Sequence, residues 1–210
     1  MANPTRQFQV HDDATLLSLV RAQPLATLVV AHGGALHANH VPLYLDPTPR
    51  TDAPHGVLVG HVARANAVWA LLPQQAVAVF HGPQAYVSPS WYPSKAVDGK
   101  HVPTWNYATV HAHGRLSAFD DPARLRAVLH TLSEQHEAHR PDPWRIEDAP
   151  PDYIDKMLRA IVGIELVVER WEGIWKVSQN RADTDRAGVV QGLLAEGTPA
   201  AQAMAALVRG

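Results

Sequence analysis

The sequence predicts an α+β chain, mainly β, whose antiparallel strands close into a small barrel with a few helices around it. Three observations carry this. Strand-length apolar runs recur between turn signals, while helical periodicity is confined to a few short segments. Gly33-Gly34 joins two such runs as a tight hairpin. The stretch from Pro103 to about Ala118 alternates its side chains as one long strand does. Several antiparallel strands with few helices, one of them an early crossover, remove their open edges by closing on themselves.

The elements follow in order. Asp12 or Asp13 caps a first helix reaching about Arg21, with Leu16, Leu19 and Val20 on its inner face. Leu25 to Ala31 is a strand, and its return runs from Ala35 to about Leu45. On the return His37, Asn39 and Val41 share one face, His40 takes the other, and Pro42 limits pairing or marks a bulge. Asp46 to Pro54, rich in Pro, Asp and Thr, is a loop. Val57 to His61 is a third strand, Ala63 to Leu72 a helix, Ala76 to His81 a fourth strand, and Tyr86 to Ser88 a further extended piece. The Trp91-Tyr92-Pro93 loop then leads to the long strand. Asp120 or Asp121 caps a helix with Pro122 at its first position, running towards His139. Pro141 to Pro151 connects to a last strand, Ile161 to Val168. Two short helices near Asp183–Leu194 and Pro199–Val208 end the chain. The domain reading is one barrel domain over residues 1–182, with a helical tail, 183–210, packed on it.

Composition narrows the function classes. Hydrophobic residues make up 46% and charged residues 18% of the 210, enough for a sizeable core. A net charge of -2 gives no broad basic surface for nucleic acid. The absence of cysteine excludes disulfides, thiolate metal sites and cysteine nucleophiles. No apolar run has signal-peptide or membrane-spanning character, so a soluble cytoplasmic protein without membrane contact is expected.

The long strand is the chemically unusual segment. Trp105, Tyr107, Thr109 and His111 face one way, and Thr104, Asn106, Ala108 and Val110 the other. Two aromatics, an amide, hydroxyls and an imidazole suit a planar polar ligand that needs stacking faces and hydrogen-bond partners. The alternative is an amphipathic strand with a wet face.

Four segments occur in order: His61-Val62-Ala63-Arg64-Ala65-Asn66; Phe80 to Tyr92, reading FHGPQAYVSPSWY; Val102-Pro103-Thr104-Trp105-Asn106-Tyr107; and Lys176-Val177-Ser178-Gln179-Asn180-Arg181. Together they resemble the PaiB family, FMN-binding negative transcriptional regulators of bacteria. The resemblance implies an FMN-binding split β-barrel like that of pyridoxamine-phosphate oxidases, an antiparallel Greek-key barrel with peripheral helices. It also implies a homodimer with FMN at the interface, and DNA as a partner by resemblance only. The same barrel hosts flavin reductase-like oxidoreductases and haem-degrading enzymes, so the reaction stays open.

Under that resemblance the residues take roles. Arg64, at a strand-to-helix junction flanked by His61 and Asn66, is the candidate for the FMN phosphate, where a guanidinium and a helix N-terminus would act together. Its alternative is a solvated first-turn residue. Lys176 and Arg181 form a second basic pair, and Gln179 and Asn180 offer amides to a ring edge; the alternative is a capped surface loop. Asn106 and Thr104 would face the flavin, leaving Trp105 and Tyr107 for a dimer interface or a second ligand space. Asn39 and His40 occupy positions that face ring or substrate in related barrels, or else pair across strands. His111 and His113 share a strand face, but without a nearby carboxylate in the motif no metal is assigned. Ser88, Ser90 and Ser94 lack a nucleophile-elbow sequence. The final helix offers Gln202 and Arg209 for DNA contact, and its alanines read better as packing.

Overall fold

The computed structural model describes residues 6–210. Its first half contains β1 (Gln9–Val10), α1 (Asp13–Ala22), β2 (Leu25–His32), β3 (Ala35–Leu45), β4 (Val57–Ala63), β5 (Gln74–Val87) and α2 (Lys95–Asp98). The second half contains β6 (Thr104–Phe119), α3 (Pro122–Glu137), α4 (Pro151–Arg159), β7 (Ile161–Lys176), α5 (Asp183–Glu196) and α6 (Pro199–Arg209). The chain divides into two compact units. A barrel unit holds residues 20–80 and 111–171; a second unit holds 1–19, 81–110 and 172–210.

In the barrel unit β2, β3 and β4 follow one another as antiparallel neighbours, and β5 returns beside β2, which is the Greek-key order. Gly33 and Gly34, at φ +58° and +78°, form the hairpin turn between β2 and β3, a conformation only glycine takes without strain. β7 pairs with β4 from Val57↔Val167 to Ala63↔Ile161 and also with β6, which neighbours β5, so the strands form a ring. Alternate side chains fill the inside: Leu28, Val30, Leu43, Leu58, Phe80, Leu116, Ile164 and Leu166 are at most 1% exposed. β4 is buried on its outer face as well, because Val57 and Val59 pack against Val128 and Leu132 of α3. α4 adds Ile154 and Leu158 against Leu125 of α3. Where β6 meets β7 the backbones come so close that a Cβ on Gly114 would lie 2.0 Å from the Val167 carbonyl oxygen.

The second unit has β1 paired with the end of β7, Gln9↔Ile174 and Val10↔Gly173. α5 and α6 form a hairpin with Val189 and Leu193 packed among Ala201, Met204, Ala205 and Val208, and Val87, Tyr92 and Val177 share this cluster. The small Ala201 and Ala205 are buried there by helix contact, while Ala200, Ala203 and Ala206 are exposed.

Most elements stand where the sequence places them, but the two-residue β1 is outside that reading and four further differences occur. The helix predicted from Ala63 to Leu72 is absent: β4 runs on to Ala63, and only a turn of 3₁₀ helix forms at Ala67–Leu71. Asn66 stops the helix from starting earlier, since its Oδ1 accepts from Val68 N and caps the turn, while Pro73 leaves no room for a second turn. The extended pieces around Ala76–His81 and Tyr86–Ser88 are one strand, β5. α2 lies in a segment read as loop, and α4 in the stretch between the connector and the last strand, to which the sequence reading assigns no element; at four and nine residues they present too little periodicity to find. β7 continues to Lys176, eight residues beyond the predicted end.

The predicted cap of α3 forms through Asp121, whose Oδ1 accepts from Arg124 N at 2.7 Å. Asp121→Ala is therefore expected to cost about 1 kcal/mol of stability, read from a urea midpoint shift at unchanged slope. Among the described residues no helix is long and apolar enough to cross a membrane.

Candidate functional site

The candidate residues sort into two groups, one in each unit. In the barrel unit β4 ends on His61 and passes through Arg64 to the capping Asn66. Asn66 Nδ2 donates to Asn39 Oδ1 on β3 at 2.9 Å. His40, its neighbour on β3, faces the other way and is exposed, so the two cannot serve one ligand from one face. His61 is half-buried. Its Nδ1 is shielded from solvent and has no partner among the described residues, and desolvation pushes the imidazole pKa down, favouring the neutral ring.

Arg64 is held in place from several sides. Its Nε donates to Arg159 O at 2.9 Å, and its Nη2 donates to Ile161 O at 3.0 Å and Asp120 Oδ1 at 2.5 Å. Trp69 Nε1 donates back to Arg64 O, and the guanidinium carbon lies 5.9 Å from the Trp69 ring centre. The helix N-terminus expected beside it does not exist, so any anion here would rely on side chains and not on a helix dipole. Asp120 is 62% exposed, which makes its pair with Arg64 a weak one that a dianion can displace.

In the second unit Lys176 Nζ donates to Thr104 Oγ1, and Asn106 Nδ2 donates to Ser178 Oγ at 2.9 Å. Asn106 is 1% exposed, so an amide predicted to meet a ligand is instead buried on a serine. Ser178 stands at φ +63°, the one non-glycine with positive φ among the described residues, a strained conformation of the kind found at functional positions. Arg181 lies over the Tyr92 ring at 4.8 Å from its centre. Gln179 turns inward on the backbone. Its Oε1 accepts from Val177 N, and its Nε2 donates to Trp175 O and Gln7 O, so its amide caps this turn and is not presented to a ring edge. Asn180 is exposed. Trp105 is 55% exposed on β6 and makes a T-shaped contact with Tyr86 on β5, centroids 6.3 Å apart, while Tyr107 is half-buried.

The sequence reading missed a cluster between α2 and α5. Asp185 accepts from Ser94 N at 3.1 Å and from Ser94 Oγ at 2.6 Å. His101 Nε2 lies 2.9 Å from Ser94 Oγ, its Nδ1 lies 3.4 Å from Asp98 Oδ1, and its ring tilts against Tyr92 at 5.1 Å. The row Asp98, His101, Ser94 resembles a nucleophile relay, yet the serine proton goes to Asp185, so the ring nitrogen donates to Oγ and cannot act as its base. The cluster is a clasp. It was invisible in the sequence because Ser94 and Asp185 are separated by two strands and three helices.

Asp185 carries a testable pH effect. The Ser94 hydroxyl and amide bonds, helped by His101 and Arg181, hold its carboxyl below the usual carboxylate range. A carboxylate with a depressed folded-state pKa contributes stability above its unfolded value, and that contribution is lost as pH falls through the folded one. The window therefore opens below about pH 4. Denaturation midpoints of the wild type should fall more steeply there than those of Asp185→Asn.

Residues 3–170 match the sequence model of the family described as "Putative FMN-binding domain". The chain is 32% identical over 205 residues to the Bacillus subtilis (strain 168) protein named "Protease synthase and sporulation protein PAI 2", covering 97% of this chain and 94% of that one. It is 33% identical over 237 residues to an uncharacterised Emericella nidulans protein, covering 95% and 94%. The relatives are thus not confined to bacteria. Among solved structures it resembles the flavocytochrome Anf3 of Azotobacter vinelandii, with TM-score 0.63 and 14% identity over 89% of this chain and 78% of that one. It also resembles an FAD- and haem-binding protein of Mycobacterium smegmatis, with TM-score 0.60 and 17% identity over 85% and 78%. These likenesses establish the split-barrel fold.

Proposed function

The chain belongs to the FMN-binding domain family and its cofactor is FMN; from that premise we propose a flavin-binding regulator of the PaiB type, working as a homodimer, with Arg64 on the flavin phosphate. The observation that carries the site is His61: a polar ring atom buried without a partner among the described residues, three residues from a guanidinium whose acidic partner is exposed. The donors fit FMN. A dianionic phosphate asks for a guanidinium, and the ribityl chain and ring edges ask for neutral imidazole and amide groups, which His61, Asn66 and Asn39 supply in the barrel unit; the second unit, by itself, offers the Thr104 hydroxyl. The flavin, when bound, supplies redox chemistry; the residues around it supply position and a neutral ring nitrogen. Lys176 and Arg181 add positive charge in the second unit. The exposed Trp105 and Tyr86, in ring contact, are an apolar pair of the kind that subunit contact covers.

The regulatory part rests on the resemblance to the PaiB family alone. This chain offers little for DNA by itself: its net charge is -2 and α6 is buried on one face by alanines. Two measurements separate regulator from enzyme. The regulator reading expects promoter DNA beside its own gene to be bound or released according to FMN occupancy, with no tight complex on non-specific duplex at 150 mM salt. Rapid NAD(P)H-dependent bleaching of bound flavin, with no such effect on DNA, would replace it with an FMN-dependent oxidoreductase.

A further inference from the structure

We infer that the α5–α6 hairpin is coupled to the start of β6, with Asp185 as the positioning residue; the consequence for cofactor rests on the reading above that Thr104 and Lys176 belong to the flavin site. The coupling runs through the loop from Ser88 to Val102. At one end Trp91 sits on α5 over two glycines. A Cβ on Gly192 would lie 2.2 Å from the Trp91 ring, and one on Gly188 would lie 2.0 Å from the Trp91 carbonyl oxygen. The glycines, one turn apart, form a notch that only this loop fills. Beside it the Asp185 carboxylate, 4% exposed, takes both the amide and the hydroxyl of Ser94. Charge-assisted bonds in a dry setting are the strong ones.

From Ser94 side-chain contacts reach His101, and the backbone through Val102 and Pro103 carries the link on to Thr104. The hydroxyl meets His101 Nε2, and His101, its side chain 7% exposed, leans on Tyr92. Three residues on, Thr104 takes Lys176, and Asn106 takes the strained Ser178. Three residues after Ser178, Arg181 returns to the Tyr92 ring. The turn from Lys176 to Arg181 leads straight into α5, so the circuit closes on Asp185. Tyr92, Asn106, Ser178 and Asp185 are buried and the members between them are bonded to them or joined by a few residues of backbone, so a shift of one is passed to the others. Undocking the hairpin must therefore loosen the Thr104–Asn106 segment, and by linkage a ligand gripping that segment must tighten the hairpin by the same free energy.

Hydrogen exchange of the full chain without flavin tests the coupling by itself. Asp185→Ala should speed exchange roughly tenfold across α5 and, with it, at residues 101–107, while Asp185→Asn, which keeps an acceptor for Ser94 N, should restore much of the protection. Ser94→Ala is the second variant should Asp185→Ala fail to fold, with the same expectation. Faster exchange in α5 with residues 101–107 unchanged would overturn the inference. An FMN titration of the same variants then reads the consequence. About tenfold weaker FMN binding in Asp185→Ala is expected. Unchanged FMN affinity alongside faster exchange at 101–107 would keep the coupling and remove Thr104 and Lys176 from the flavin site.

Discussion

Replacing Arg64 with alanine should weaken FMN binding by about 1.5–3 kcal/mol, the usual worth of a charge-assisted contact, while riboflavin affinity changes far less. Riboflavin lacks only the phosphate, so the difference between the two ligands isolates that contact from any loosening of the fold. Some loosening is expected, because Arg64 also ties down Arg159 O and Ile161 O. The Asp120 pair adds a second arm. A phosphate must displace or share that carboxylate, so Asp120→Ala should strengthen FMN binding several-fold, as expected for relief of a weak, exposed ion pair. Equal losses for FMN and riboflavin in Arg64→Ala would take the phosphate away from this residue.

Gly114→Ala is expected to destabilise the chain by about 3 kcal/mol, the upper end of overpacking costs. The obstacle is the Val167 carbonyl at 2.0 Å, with Val167 C and Val168 Cα behind it, all backbone. A side chain can turn away from an added methyl group, but a paired strand cannot. The β6–β7 pairing that makes the ring should yield, which a urea midpoint together with a lower far-ultraviolet β signal would record. A loss below about 1 kcal/mol would show that the two strands approach less closely than this.

Periodicity and turn chemistry made the strands legible. Alternation over β6, the Gly33-Gly34 turn and the Asp121-Pro122 start of α3 each depend on neighbours in sequence, and each forms as read. The site was legible only in part. Residue type brought out Arg64, Asn66 and Asn39, and the structure joins the last two by a hydrogen bond. It could not foretell that Gln179 would cap its own turn or that Asn106 would be buried on Ser178. Those outcomes depend on backbone direction and on which distant segment returns. The Ser94–Asp185 clasp is the clearest case, since nothing local marks either residue. The Ala63–Leu72 helix failed for a local reason that the sequence did contain: Asn66 prefers to cap, and it does so four residues too late for the predicted start.

Titration of the purified chain with FMN and with riboflavin, followed by flavin fluorescence or calorimetry, tests the central claim most directly. The expected result is saturable binding of one FMN per chain at micromolar concentration or tighter, with riboflavin bound more weakly by the margin that Arg64→Ala removes. Absence of saturable FMN binding, or riboflavin bound as tightly as FMN, would contradict the account.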